Sequence, residues 1–163
     1  IEAHHKLARK AAQESIVFLK NEDNILLLQP GTKVAVIGDF AQTPRYQGAG
    51  SSLVNPAKQP ESILNEIGNS GLEMIVFEQG YRRNKKGDAK LIERAKEAAK
   101  KAEVVLIFAG LDEISESEGL DRTHMNMPQA QNMLIDEIST VNPNVVVVLS
   151  AGSAVEMPWY SSS

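Results

Sequence analysis

The sequence has no cysteine, which removes disulfides and thiolate chemistry from consideration. That absence does not fix a compartment. No unbroken apolar run approaches the roughly 20 residues of a membrane-crossing helix, so no membrane partner is expected. Positive charge is in the minority. Seventeen Lys and Arg stand against 21 Asp and Glu, for a net charge of −4. This balance argues against nucleic acid as the main partner. Histidine is scarce, with three copies. His4 and His5 are adjacent and point to different sides of a helix, and His124 stands alone. A zinc site needs about three or four converging ligands, so no metal is expected. Tryptophan occurs once, at Trp159, where it reads as a packing anchor. The first residue is Ile1 and no charged-then-apolar leader follows it. The sequence therefore reads as one domain, residues 1–163, cut from something longer.

What is present is the material of a packed core: 42% hydrophobic and 23% charged residues. From about Ala3 to Ile16 the spacing predicts a helix, with Leu7, Ala8, Ala11, Ala12, Ser15 and Ile16 on one small apolar face. "SIVFLK" turns β-branched and aromatic, which suggests a short strand. "KVAVIG" (Lys33 to Gly38) is an apolar strand ending in glycine. Pro60 is expected to open a second helix with Ile63, Leu64 and Ile67 inward. "EMIVFEQG" is a second strand. Asp88 is placed to cap a helix bearing Leu91, Ile92, Ala95, Ala98, Ala99 and Ala102. "VVLIFAG" (Val104 to Gly110) is the third strand. Pro128 starts a further helix, and "NVVVVLS" (Asn144 to Ser150) is the fourth strand. Ser161–Ser163 reads as a tail.

Apolar strands alternating with amphipathic helices indicate a three-layer α/β/α sandwich, its mostly parallel sheet covered on both faces. Right-handed crossovers bring the strand-to-helix loops to the carboxyl edge, where open α/β sheets bind ligands. Three loops should gather there: Asp39 to Gln59, Gln79 to Asp88 and Leu111 to Met127. The first holds "GAGSS" (Gly48 to Ser52). It lacks the lysine of a Walker loop and stands about ten residues after its strand, unlike a dinucleotide fingerprint. A tight turn is one reading; a backbone and hydroxyl surface for an uncharged ligand such as a sugar is the other. The second loop holds "RRNKK" (Arg82 to Lys86), a basic run that reads as solvated.

The third loop is the most informative. "DEISESEGLDR" (Asp112 to Arg122) holds five carboxylates: Asp112, Glu113, Glu116, Glu118 and Asp121. Single acids in loops are mostly solvent-facing. A general acid working near neutral pH needs burial or a neighbouring negative charge, and an acidic cluster on a ligand edge can supply it. Gly119 permits close approach of a ligand beside Glu118, and Arg122 is placed to clamp Asp121. No nucleophile is apparent.

"HHKLARKAAQESIVFLKNEDNILLL", "KVAVIGDFA", "GAGSSLVNP", "ESEGLDRTHMNMPQAQNMLI" and "NPNVVVVLSAGSAVEMPW" together resemble the second domain of glycoside hydrolase family 3, in the same order and over nearly the whole chain. The pair "GxGSS…NP" and "ESEGxDR" is specific. The resemblance implies a two-domain enzyme of β-glucosidase type, in which a (β/α)8-type barrel carrying an aspartate nucleophile precedes an α/β sandwich. It implies that Glu118 is the acid/base, that Ser51 contacts the sugar, and that Asp121 and Arg122 support them. The substrate would be a β-glucoside or oligosaccharide, hydrolysed with retention and without a cofactor. A chain of 163 residues has no room for a barrel of about 250, so the isolated domain is expected to be inactive. The family pattern continues past "VEMPW", so either the sandwich is truncated at its C-terminal end or the missing part is supplied elsewhere. The alternative is a non-catalytic sugar-binding or interaction module on the same fold.

Overall fold

The computed structural model describes residues 1–83 and 86–161. Four strands form one sheet: β1 (Lys33–Ile37), β2 (Glu73–Glu78), β3 (Val104–Gly110) and β4 (Val145–Ser150), in the order β2-β1-β3-β4. Every pairing is parallel, with Ile37 opposite Ile107 and Val105 opposite Val145. The helices are α1 (Glu2–Glu14), the short α2 (Asp39–Gln42), α3 (Ile63–Asn69), α4 (Ala89–Ala99) and α5 (Gln129–Ser139). α2 and α3 serve the crossover from β1 to β2. α4 serves the crossover that passes over β1 from β2 to β3, and α5 the crossover between the adjacent β3 and β4; the two helices pack together. This is a three-layer α/β sandwich, as the alternation of elements predicts.

The central strands carry the core. All seven residues of β3 and four of the five in β1 are buried. Leu134, Ile135 and Ile138 of α5 are fully covered; truncating one of them to Ala costs about 2–5 kcal/mol. The edge strands are only half covered. Met74 on β2 and Val148 on β4 remain partly exposed, because each has a neighbouring strand on one side only. β3 ends in a close approach. Gly110 has φ +154°, and a Cβ there would lie 2.0 Å from the Ser150 carbonyl oxygen, so only glycine fits.

Side-chain caps fix the starts of α3 and α4. Asp88 accepts hydrogen bonds from the backbone N–H groups of Lys90 (3.1 Å) and Leu91 (3.4 Å), as its spacing predicts. Helix α3 does not begin at Pro60. Its N-cap is Ser62, whose hydroxyl accepts from the Asn65 N–H at 3.3 Å, so the capping side chain fixes the start. One other expectation fails. "SIVFLK" forms no strand; Ile16, Val17, Phe18 and Leu19 are exposed. β-propensity needs a neighbouring strand to act on, and none pairs with this segment. The expected first helix is present as α1, which ends at Glu14 and buries none of its residues; its apolar face has no partner among the described residues. It is tied to the segment before α3 by the Arg9–Glu61 pair and by Lys58–Glu2 at 3.0 Å.

Candidate active site

The loops leaving β1, β2 and β3 meet at the carboxyl edge, and the loop after β4 joins them. The segment Gly50–Ser52 forms a 3-10 turn closed by the Leu53 N–H on the Gly50 carbonyl, 3.1 Å. Gly50 has φ +85°, and a Cβ there would come within 3.3 Å of the Glu118 Cβ. The glycine thus lets the "GAGSS" turn lie directly against the acidic loop. The Ser51 hydroxyl donates a hydrogen bond to the Glu118 carboxylate. Both residues are exposed. The covered acids of the cluster are Asp112 and Glu116.

Asp112 is 5% exposed; one carboxylate oxygen accepts from the Ser115 N–H at 2.8 Å, and the other is buried without a partner. Glu116 uses both oxygens. It pairs with Arg45, accepts from the Gly152 N–H at 3.0 and 2.9 Å, and accepts from the Ser153 hydroxyl at 2.8 Å. Burial alone would push this carboxyl up. The Arg45 guanidinium, the Gly152 N–H and the Ser153 hydroxyl outweigh it and hold the carboxyl below the usual glutamate range. Arg45 also donates to the carbonyls of Leu111 (3.1 Å) and Gln47 (3.4 Å). One part-buried ion pair therefore ties the loops after β1, β3 and β4.

A second knot joins the loop after β2. Arg83 pairs with Asp39 at 2.6 Å and with Glu113 at 3.1 Å, donates to the Thr43 carbonyl, and lies 4.2 Å from the Phe40 ring centre. Its planar cation suits both the carboxylates and the ring. The basic run is thus not wholly solvated: Arg83 is a crosslink, Arg82 reaches Asp88 at 3.5 Å, and Asn84 and Lys85 lie outside the described residues, as do Ser162 and Ser163.

Arg122 does not clamp Asp121. Adjacent side chains diverge, and Arg122 instead donates to the Ala154 carbonyl at 2.6 Å, fastening the far end of the acidic loop to the loop after β4. Asp121 is exposed. Both line a cleft of about 520 Å³ together with Lys86, Ser115, His124 and Gln129. Trp159 is buried, its indole N–H donating to Asn132 at 3.1 Å, as a packing anchor does. Two features escaped the sequence reading. The Glu116–Arg45 pair carries no mark that separates it from its neighbours. Gln131 does: it occupies an inward position at i, i+3, i+4, i+7 with Leu134, Ile135 and Ile138, so a polar residue faces the core.

The chain is similar to known proteins over most of its length. Residues 16–163 match the model of the glycosyl hydrolase family 3 C-terminal domain. The thermostable β-glucosidase B of Acetivibrio thermocellus is 49% identical over 161 residues, which are 97% of this chain and 21% of that protein. The exo-α-(1→6)-L-arabinopyranosidase of Bifidobacterium longum is 45% identical over 170 residues, covering 98% of this chain and 22% of that protein. Among solved structures, the family 3 β-glucosidase of Bifidobacterium adolescentis superposes with a TM-score of 0.90 at 42% identity, covering 99% of this chain and 23% of its own. The chain spans about a fifth of the length of the relatives it matches. It belongs to glycoside hydrolase family 3, as a C-terminal α/β domain of the kind carried by β-glucosidase-type enzymes.

Proposed function

We propose that this chain is the acid/base-bearing domain of a retaining β-glucosidase that hydrolyses terminal β-D-glucosyl residues, with Glu118 as the acid/base and Ser51 as a contact to the sugar. One observation carries the reading. The Ser51 hydroxyl and the Glu118 carboxylate meet at the exposed carboxyl edge, on two loops that the "GxGS" and "EGxDR" stretches form. Asp121 and Arg122 belong to the same loop, and Arg122 holds its far end to Ala154.

The chemistry needs a second carboxylate about 5–5.5 Å from Glu118. An aspartate on the enzyme's own N-terminal barrel fills that role. It attacks the anomeric carbon while the protonated Glu118 gives its proton to the departing oxygen. The Glu118 carboxylate then takes a proton from water, whose oxygen displaces the aspartate. No cofactor enters either step. The exposed apolar run Ile16–Leu19 and the unpartnered face of α1 support a barrel as the domain's partner. Closing it over Glu118 would also exclude water from the site.

Two experiments test this. In the full-length enzyme, Glu118→Ala should lower kcat/KM by about 10²–10⁴-fold on glucosides with poor leaving groups, and far less on an activated aryl glucoside. Equal losses on both would overturn the assignment. The isolated 163-residue chain should not turn over an aryl β-glucoside; turnover abolished by Glu118→Gln would overturn the need for the barrel.

A further inference from the structure

The acidic loop carries more order than one exposed glutamate requires. Glu116 and Arg45 have side chains only 11% and 13% exposed, and every polar contact of the pair crosses between loops or anchors one. Arg45 holds the root of the acidic loop through the Leu111 carbonyl, 3.1 Å, and its middle through Glu116. Glu116 reaches on to Gly152 and Ser153 after β4. Arg45 also donates to the Gln47 carbonyl, 3.4 Å, while the Gln47 side-chain oxygen accepts from the Val54 N–H, 3.0 Å. The loop that presents Ser51 is thus closed by a residue that Arg45 itself holds. Ser51 lies four residues beyond Gln47, and Glu118 lies two beyond Glu116. Both partners of the Ser51–Glu118 contact hang from one knot.

The other acids of the loop do not share this task. Glu113 is committed to Arg83 at 3.1 Å, Asp112 to the Ser115 N–H at 2.8 Å, and Asp121 is exposed. Nothing on the loop after β4 brings a competing charge to Glu116; it offers the Gly152 N–H and the Ser153 hydroxyl. A Cβ at Gly152 would already lie 3.1 Å from the Glu116 carboxylate, so the pocket around the anion is closely fitted.

We infer that Glu116 and Arg45 are positioning residues for Glu118: their part-buried ion pair sets the register of the acidic loop against the "GAGSS" turn and so holds the acid/base where the leaving oxygen departs. The inference rests on the reading of Glu118 as acid/base. A shift of about 1 Å in a reacting group can cost about 100-fold. Such a shift hurts most where proton transfer to the leaving group matters most.

The test uses the full-length enzyme and two substrates, phenyl β-glucoside, whose leaving group needs the proton, and dinitrophenyl β-glucoside, whose leaving group does not. For Glu116→Gln and Arg45→Met, kcat/KM should fall roughly 30- to 100-fold on the phenyl substrate and less than about fivefold on the dinitrophenyl one. Arg45→Lys, which keeps the charge and loses the fork, should fall between Arg45→Met and the parent. A merely structural role predicts equal losses on both substrates, through a smaller folded fraction, and that result overturns the inference. So does an absence of loss. If Glu116→Gln does not fold, Arg45→Lys carries the same comparison. Glu118→Ala is run beside them. If it shows the substrate split and the pair variants do not, the pair has no positioning role. If it shows no split, the acid/base reading fails first and the inference falls with it.

Discussion

The hydroxyl of Ser51 donates a hydrogen bond to the carboxylate of Glu118, across 67 positions of sequence. Neither residue is buried, so this bond is a main restraint on an otherwise solvent-facing carboxylate. A free glutamate side chain loses up to about 2 kcal/mol of rotamer entropy when it is fixed. The bond settles part of that ordering before any ligand arrives.

Ser51→Ala removes the restraint and the hydroxyl together. In the full-length enzyme it should lower kcat/KM for an aryl β-glucoside by about 10- to 150-fold, the equivalent of about 1.5–3 kcal/mol for a hydrogen bond to a charged group. The folded state should be untouched, because Ser51 is exposed. Steady-state kinetics with a thermal melt checks both halves. An unchanged kcat/KM would mean that the bond has no part in the reaction.

Gln131 is the clearest stability target. Its amide donates to the Gly110 carbonyl at 2.9 Å and its side-chain oxygen accepts from the Gly110 N–H at 2.8 Å. The residue is 2% exposed, so water cannot replace it. Gln131→Leu keeps the volume and strands both backbone groups. The expected cost is about 2–4 kcal/mol, one buried unsatisfied group each way. A drop in the urea midpoint of this chain measures it, and a change within about 0.5 kcal/mol would show that the strand end finds other partners.

The sheet was legible in the sequence because it rests on apolar runs that need no context. "VVLIFAG" is buried along its whole length, and the runs around β1 and β4 land within one residue of their observed ends. Local chemistry also located the Asp88 cap. Where context decides, the sequence was silent or misled. "SIVFLK" has the composition of a strand and no strand to pair with. The choice among five acids is made by which loops lie beside which. Glu116 and Glu118 look alike in "SESEG", yet one is tied into three loops and the other faces solvent. Gln131 was readable, as a polar residue on an apolar stripe, to anyone asking what a buried amide must bond to.

Tyr81 is 1% exposed and its hydroxyl donates to the Phe108 carbonyl at 2.7 Å. Burial pushes its phenol far above the ordinary value of about 10. The folded state thus holds the proton more tightly than the unfolded chain. Stability from this group is full below about pH 10 and falls as the pH rises above it, where the unfolded tyrosine ionises. Tyr81→Phe should cost about 1 kcal/mol at neutral pH and flatten the alkaline decline. Melting temperatures of this chain between about pH 8 and 11 test it; parallel curves for parent and variant would rule the linkage out.

The Glu116–Arg45 pair predicts the acid side. The Glu116 carboxyl is held below its ordinary value, which in the unfolded chain is about 4.3. A depressed carboxyl contributes stability that is present above the unfolded value and is lost as the pH falls toward the folded one. The parent chain should therefore lose stability from about pH 5 downward, and Glu116→Gln, which cannot titrate, should lose less over the same range. At neutral pH the variant is the less stable of the two. The variant leaves Arg45 without its counter-charge at a site only 13% exposed, and breaking one half of a buried pair costs about 3–5 kcal/mol; partial exposure puts the expectation at the low end. The two stability curves should converge toward low pH. Melts of both chains from about pH 3 to pH 7 decide the matter: curves that stay a constant distance apart would mean that Glu116 keeps its proton affinity on folding and that the pair contributes packing alone.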